Sequence, residues 1–211
     1  HLGGYLPFSI DITSKVRFGA LNTIALKLDN RDNAVTGPKP LKLLDFNTYG
    51  GIYRNVSLIL KTPVYITDTN YENETAGGGV FFHASDISSA NATIHTKTHV
   101  RNQSGKNVKV KVYYSLYNNK NTKVATFQSA QKTIPSGESN YYESDAKIMS
   151  PELWSPDSPS LYTLHVTVLA DNKKVDEEQI KVGIRDIKIT NEGCWINGKK
   201  IFLRGVNRHQ E

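Results

Sequence analysis

Cysteine is almost absent. Cys194 stands alone, so no intrachain disulfide can form, and stability must come from packing and strand pairing. No run of about eighteen apolar residues occurs, which excludes a membrane-spanning helix and with it a membrane partner of that kind. There is no signal peptide either. The chain opens on His1-Leu2-Gly3-Gly4-Tyr5, which reads as the middle of a longer protein, so any targeting segment would lie outside it and the compartment stays open. Arg-rich arms and recognition-helix patterns are missing too. The net charge of +6 comes from lysines that alternate with apolar residues, as in Lys109-Val110-Lys111-Val112. That spacing places them on a solvated strand face, and no nucleic-acid partner is expected.

Helical period is equally scarce, whereas alternation runs through the chain and marks an all-β region. Ile24, Leu26 and Leu28 share one face of an expected strand, and Val56, Leu58 and Leu60 share one face of the next. Thr62-Pro63 interrupts the pattern, because proline cannot donate to a ladder, and a domain boundary is placed there. Beyond Gly77-Gly78-Gly79 come Val80-Phe81-Phe82, then Ala92 to His99, then the longest stripe, Val108, Val110, Val112, Tyr114 and Leu116. Tyr162, Leu164, Val166 and Val168 form another, and Ile180, Val182 and Ile184 close the set. Roughly seven short strands over about 120 residues, each bounded by turn residues, is the pattern of an immunoglobulin-like sandwich. From Ile187 the texture changes. Cys194-Trp195-Ile196 and Lys200-Ile201-Phe202-Leu203 flank Asn197-Gly198, a pair that accepts positive φ and closes a tight hairpin. A dense polar run, Arg204 to Glu211, follows.

Three segments, in order, carry a resemblance. They are His1-Leu2-Gly3-Gly4-Tyr5-Leu6-Pro7-Phe8 with Asp11-Ile12-Thr13; Asp45-Phe46-Asn47-Thr48-Tyr49-Gly50-Gly51-Ile52-Tyr53-Arg54-Asn55-Val56; and Ile201-Phe202-Leu203-Arg204-Gly205-Val206-Asn207-Arg208-His209. Together with Trp154-Ser155-Pro156, Pro159, Leu161 and Tyr162, they resemble glycoside hydrolase family 2, and within it the β-galactosidases. The resemblance implies three regions. Residues 1–62 would be the C-terminal half of a jelly-roll sugar-binding domain, and 63–183 an immunoglobulin-like β-sandwich. Residues 184–211 would be a hairpin and the first strand of a catalytic (β/α)8 barrel. The fold expected is therefore all-β: a partial jelly roll, a complete sandwich and the start of a barrel lying outside this sequence.

The implied chemistry is retaining hydrolysis of terminal β-D-galactosyl bonds. Such chemistry needs two carboxyl groups about 5–5.5 Å apart. In the family both are glutamates late in the barrel, so no catalytic residue is assigned here, Glu211 included, and the chain alone is expected to be inactive. Substrate-positioning residues are assigned by resemblance: His209 in the pocket of the terminal sugar, Asn207 and Arg208 before it, and Asp45 reaching in from the jelly roll. Arg208 can orient a carboxylate through its planar fork. No cofactor is expected within this segment, although the complete enzyme would carry a monovalent or divalent cation near Asp45. Against that, Asn47 stands where the matching loop has an aromatic residue. Without the resemblance, Arg204–His209 reads as a charged loop and Asp45 as a turn residue. The partner expected is carbohydrate, and the complete enzyme a homo-oligomer. Glucuronidase and mannosidase specificity remain open, as do a non-catalytic carbohydrate-binding or scaffold module and an adhesion domain.

Other candidates have plainer readings. His95, His99 and His165 sit among polar strand partners rather than in a metal set. Tyr113, Tyr114, Tyr141 and Tyr142 read as amphipathic packing before sugar stacking, and Trp154 as a core or inter-domain plug. Asn55, Asn73, Asn91 and Asn102 head glycosylation triplets that are frequent by chance.

Overall fold

The computed structural model describes residues 1, 6–29, 31, 35, 50–72 and 74–207. It divides into two compact units, Leu60–Leu203 and a second drawn from His1–Ile59 with Arg204–Glu211.

In the larger unit alternation becomes burial. The strands are β1 (Val64–Ile66), β2 (Val80–Ser85), β3 (Asn91–Asn102), β4 (Val108–Tyr117), β5 (Lys123–Gln128), β6 (Lys132–Ile134), β7 (Ser139–Met149), β8 (Tyr162–Ala170) and β9 (Lys173–Val182), with one helical turn, α1 (Thr69–Glu72). They form two antiparallel sheets. One has the order β1-β3-β2, with β7 also on β3; the other has β5-β4-β8-β9, with β6 also on β4. The inward stripes meet between them. Val110, Val112, Tyr114 and Leu116 of β4 and Leu164, Val166 and Val168 of β8 face Ala92, Ile94 and Val100 of β3, all fully or nearly fully buried. Each valine, leucine and isoleucine among them contributes about 1.5–3 kcal/mol by leaving water. Nine strands stand where the sequence pattern suggests roughly seven: β1 and β6 are three residues long, too short to show alternation, and β5 and β7 carry no stripe named from the sequence.

Buried polar groups are paired. The Tyr114 hydroxyl lies 3.0 Å from Thr98 Oγ1 and donates to the Tyr142 carbonyl at 3.0 Å. The β1 edge is tied to β9 by Asp176, whose carboxylate accepts from Ile66 N and Lys61 Nζ, both at 2.8 Å.

After the sandwich, β10 (Ile187–Thr190), β11 (Gly193–Ile196) and β12 (Lys199–Ile201) form a three-stranded antiparallel sheet. Asn197 (φ 51°) and Gly198 (φ 75°) make the tight turn between β11 and β12, the left-handed pair that a two-residue hairpin demands. Asn197 also fastens this sheet to the sandwich. Its amide donates to Trp154 O at 2.9 Å, and its oxygen accepts from Asp186 N at 3.0 Å.

The described residues of the second unit hold one 3-10 turn, Thr13–Lys15, started by the Asp11 carboxylate accepting from Thr13 N at 2.8 Å. They contain no ladder. Ile24, Leu26 and Leu28 keep their alternation yet are 69%, 63% and 57% exposed. Alternation states which face a strand would bury, and a ladder also needs a neighbour to bond.

Candidate functional site

Of the four residues assigned by resemblance, Asp45, Arg208 and His209 lie outside the described residues. Asn207 is exposed, in a stretch after β12 that has no strand among the described residues. No two of the four are therefore brought together among the described residues. Nor do three His, Cys, Asp or Glu side chains converge on a metal position there.

His83, His95 and His99 are organised instead on the β2–β3 part of the β2–β3–β7 sheet. Antiparallel register sets His83 opposite His95, and His95 opposite Asp145. His95 Nδ1 lies 2.8 Å from Asp145 Oδ1, and its Nε2 lies 2.8 Å from Ser85 Oγ. The His83 ring stacks on His95 at 4.5 Å with the planes 17° apart. Near-parallel rings send their nitrogen lone pairs along parallel planes, so this pair does not converge on one ion. Ser85, His95 and Asp145 repeat the hydrogen-bond order of an activated hydroxyl. Acyl transfer also requires oxyanion donors and a cleft. Here the row crosses a sheet face, and the Ser85 hydroxyl also reaches Asp86 Oδ2 at 3.2 Å.

One step along β3, Lys97 Nζ sits 4.0 Å above the Tyr141 ring, and His99 stacks on Tyr141 at 4.4 Å. The Tyr141 ring is thus engaged by two side chains of β3. His99 is 2% exposed. Its Nδ1 lies 3.0 Å from Thr67 Oγ1, which accepts from Gly79 N at 2.9 Å. Gly79 is required there: its φ is +64°, and a Cβ would come within 2.8 Å of Thr69 Cγ2. Burial holds the His99 imidazole below its ordinary pKa, with Arg101 and Lys97 pushing the same way and Glu72 and Glu74 opposing. A lowered folded-state value favours the neutral ring. The stabilisation is then complete above the unfolded value of about 6.5 and is lost as pH falls below it. Urea midpoints measured from pH 7.5 to 5.5 should fall in the wild type. The fall should be shallower in His99→Asn, which keeps an acceptor for Thr67; equal slopes would contradict this.

The remaining candidates are structural. Tyr114 and Tyr142 are wholly buried. The Arg185 guanidinium covers the Trp154 ring at 4.8 Å. Asn102 is fully buried, its amide bonded to backbone carbonyls and its oxygen to Ser104, so it cannot accept a glycan. In the sequence His95 and His99 sit among polar strand partners, but Asp145 is fifty residues from His95, and only register reveals it.

A family model described as glycosyl hydrolases family 2 matches residues 79–185. The chain belongs to that family. It is 33% identical over 97% of its length to a β-glucuronidase of Formosa agariphila, covering 22% of that protein. It is 31% identical over its whole length to a β-galactosidase of Thermoanaerobacter pseudethanolicus, covering 26% of it. Among solved structures, a calcium-binding mutant of Bacteroides uniformis β-glucuronidase 2 aligns with all of this chain and 25% of its own, at a TM-score of 0.81 and 27% identity. The chain thus spans about a quarter of the length of the relatives it matches.

Proposed function

We propose that this chain is the accessory part of a retaining glycosidase that removes terminal β-D-galactosyl residues. The family membership, with end-to-end similarity to β-galactosidases at 31% and 32% identity, supports the reading. In it, residues 1–62 belong to a sugar-binding jelly roll, 63–183 form the immunoglobulin-like spacer, and 184–211 lead into the barrel. Asp45, Asn207, Arg208 and His209 position the terminal sugar. An imidazole at 209 donates to or accepts from a ring hydroxyl, and the Arg208 fork orients a carboxylate. The acid/base and nucleophile, about 5–5.5 Å apart in a retaining enzyme, come from outside this sequence. A second reading, terminal β-glucuronosyl specificity, is favoured by the 33% identity to a β-glucuronidase.

Hydrolysis of aryl β-galactoside, β-glucuronide and β-mannoside decides between them, comparing the 211-residue chain with its complete gene product. Activity only in the complete product, with kcat/KM on the galactoside at least about 100-fold above the others, is expected, because a site built to bond one hydroxyl pattern rejects analogues strongly. Highest activity on the glucuronide would replace the galactosyl reading with the second. Activity in the short chain would overturn the division of labour.

A further inference from the structure

The outward face of the β5-β4-β8-β9 sheet has a composition that neither the core nor the proposed active site uses. Because β4 buries Val110, Val112, Tyr114 and Leu116, its alternate residues Lys111, Tyr113, Ser115 and Tyr117 point away from the core. Register extends them into rows. Lys123, Tyr117, Thr163 and Lys181 lie abreast across four strands; so do Thr126, Ser115, His165 and Gln179, and likewise Gln128, Tyr113, Thr167 and Glu177. Three strand spacings put Lys123 and Lys181 about 14 Å apart at their backbones.

On this face rings lie beside cations. Tyr117 packs on His165 at 4.5 Å, and Lys123 Nζ lies 5.6 Å from the Tyr117 centroid. Lys111 Nζ lies 5.5 Å from the Tyr113 centroid, and Lys181 Nζ donates to Thr163 Oγ1 at 2.7 Å. The charge is one-sided. Lys109, Lys111, Lys123, Lys174 and Lys181 occupy outward positions, and the one acid among the described outward residues of these strands, Glu177, is held by Lys174 at 2.7 Å. The other sheet is more evenly mixed: outward Lys97 and His95 of β3 stand opposite Glu143 and Asp145 of β7, while outward Lys147 stands opposite Thr93.

We propose that this face is an accessory binding surface for an anionic glycan, a polymer bearing carboxylate or sulfate groups. Sugar C–H faces lie on Tyr113, ring hydroxyls meet Ser115, Thr126, Thr167 and Gln179, and the acidic groups meet Lys111, Lys123 and Lys181. A flat sheet suits an extended chain better than a single sugar, which would need a concave pocket. The choice of a glycan over other polyanions rests on the glycosidase reading above. Lysine–anion attraction on an exposed face is screened by salt within about 10 Å at 0.1 M, so binding is salt-dependent.

The test is affinity electrophoresis and titration calorimetry on the complete protein, with polygalacturonate, a sulfated galactan, a neutral galactan and duplex DNA as probes. Retardation by one or both anionic glycans is expected, weakened at least tenfold in the double variant Lys123→Gln/Lys181→Gln and abolished by 0.5 M salt. Lys147→Gln, on the other sheet, should change nothing. Which of the two polymers binds tighter separates carboxylate from sulfate. Equal binding of the neutral galactan, equal binding of DNA, or an unaffected double variant would each overturn the proposal. Aryl-glycoside hydrolysis, followed in parallel, keeps the two readings apart. Hydrolysis without glycan binding rejects this face alone, and glycan binding without hydrolysis rejects the catalytic reading alone.

Discussion

Replacing Asn102 by Ala should cost the sandwich about 3–5 kcal/mol, among the larger effects a single polar side chain can have. The side chain is fully buried at the end of β3. Its amide donates to Lys106 O at 2.7 Å, Ile134 O at 2.9 Å and Pro135 O at 3.2 Å. Its oxygen accepts from Ser104 N at 2.9 Å and Ser104 Oγ at 2.7 Å. One residue therefore shapes the turn into β4 and pins the end of β6. Alanine leaves those carbonyls facing one another with no donor, and each buried orphan costs roughly 1–3 kcal/mol. Asn102→Asp should be at least as harmful despite its matched shape, because a carboxylate cannot donate and would confront two or three carbonyl oxygens. For a unit of this size the loss lowers Tm by about 10 °C. Urea unfolding of both variants, followed by tryptophan fluorescence, measures it. A change below 1 kcal/mol in both would show that the turn is held elsewhere.

What the sequence reveals, and what it hides, follows from the range of each interaction. The β4 stripe is local: alternate residues from Val108 to Leu116 are all buried. The Asn197-Gly198 turn is local as well, since its positive φ values are a property of two residues. Asn102 reads in the sequence as part of a polar turn and a glycosylation triplet, and nothing local says that its partners include Ile134. The His83–His95–Asp145 row is likewise created by register between strands far apart in the chain. Alternation without a ladder among the described residues is the opposite case, in which Leu26 and Leu28 promise a buried face and lie largely exposed. The candidate sugar subsite rests on a different footing. Asn207 is placed on the surface, and the roles given to Asp45, Arg208 and His209 come from resemblance, with no local periodicity or spacing that would announce them.

Tyr114 makes a comparable demand on the core, and here two variants separate packing from hydrogen bonding. Its ring fills the centre between the sheets and stacks on Phe127 at 5.1 Å, with the planes 16° apart. Tyr114→Ala should cost about 4–5 kcal/mol, the upper part of the range for emptying an aromatic site, because neighbouring β-strands cannot collapse onto the void without breaking ladder bonds. Tyr114→Phe keeps the ring and deletes only the hydroxyl. That hydroxyl meets Thr98 Oγ1 and the Tyr142 carbonyl, both at 3.0 Å. Burial also raises its pKa, keeping it a neutral donor. Phenylalanine should therefore cost about 1–2 kcal/mol, the price of leaving a buried carbonyl without a donor. Thr98→Val removes the neighbouring hydroxyl. Combined with Tyr114→Phe, it should cost less than the sum of the two singles, since the pair's mutual bond is lost only once. Strict additivity would mean that the two hydroxyls are satisfied independently. A Phe variant as damaged as the Ala variant would mean that the hydroxyl, and not the ring, holds the sheets together at this point.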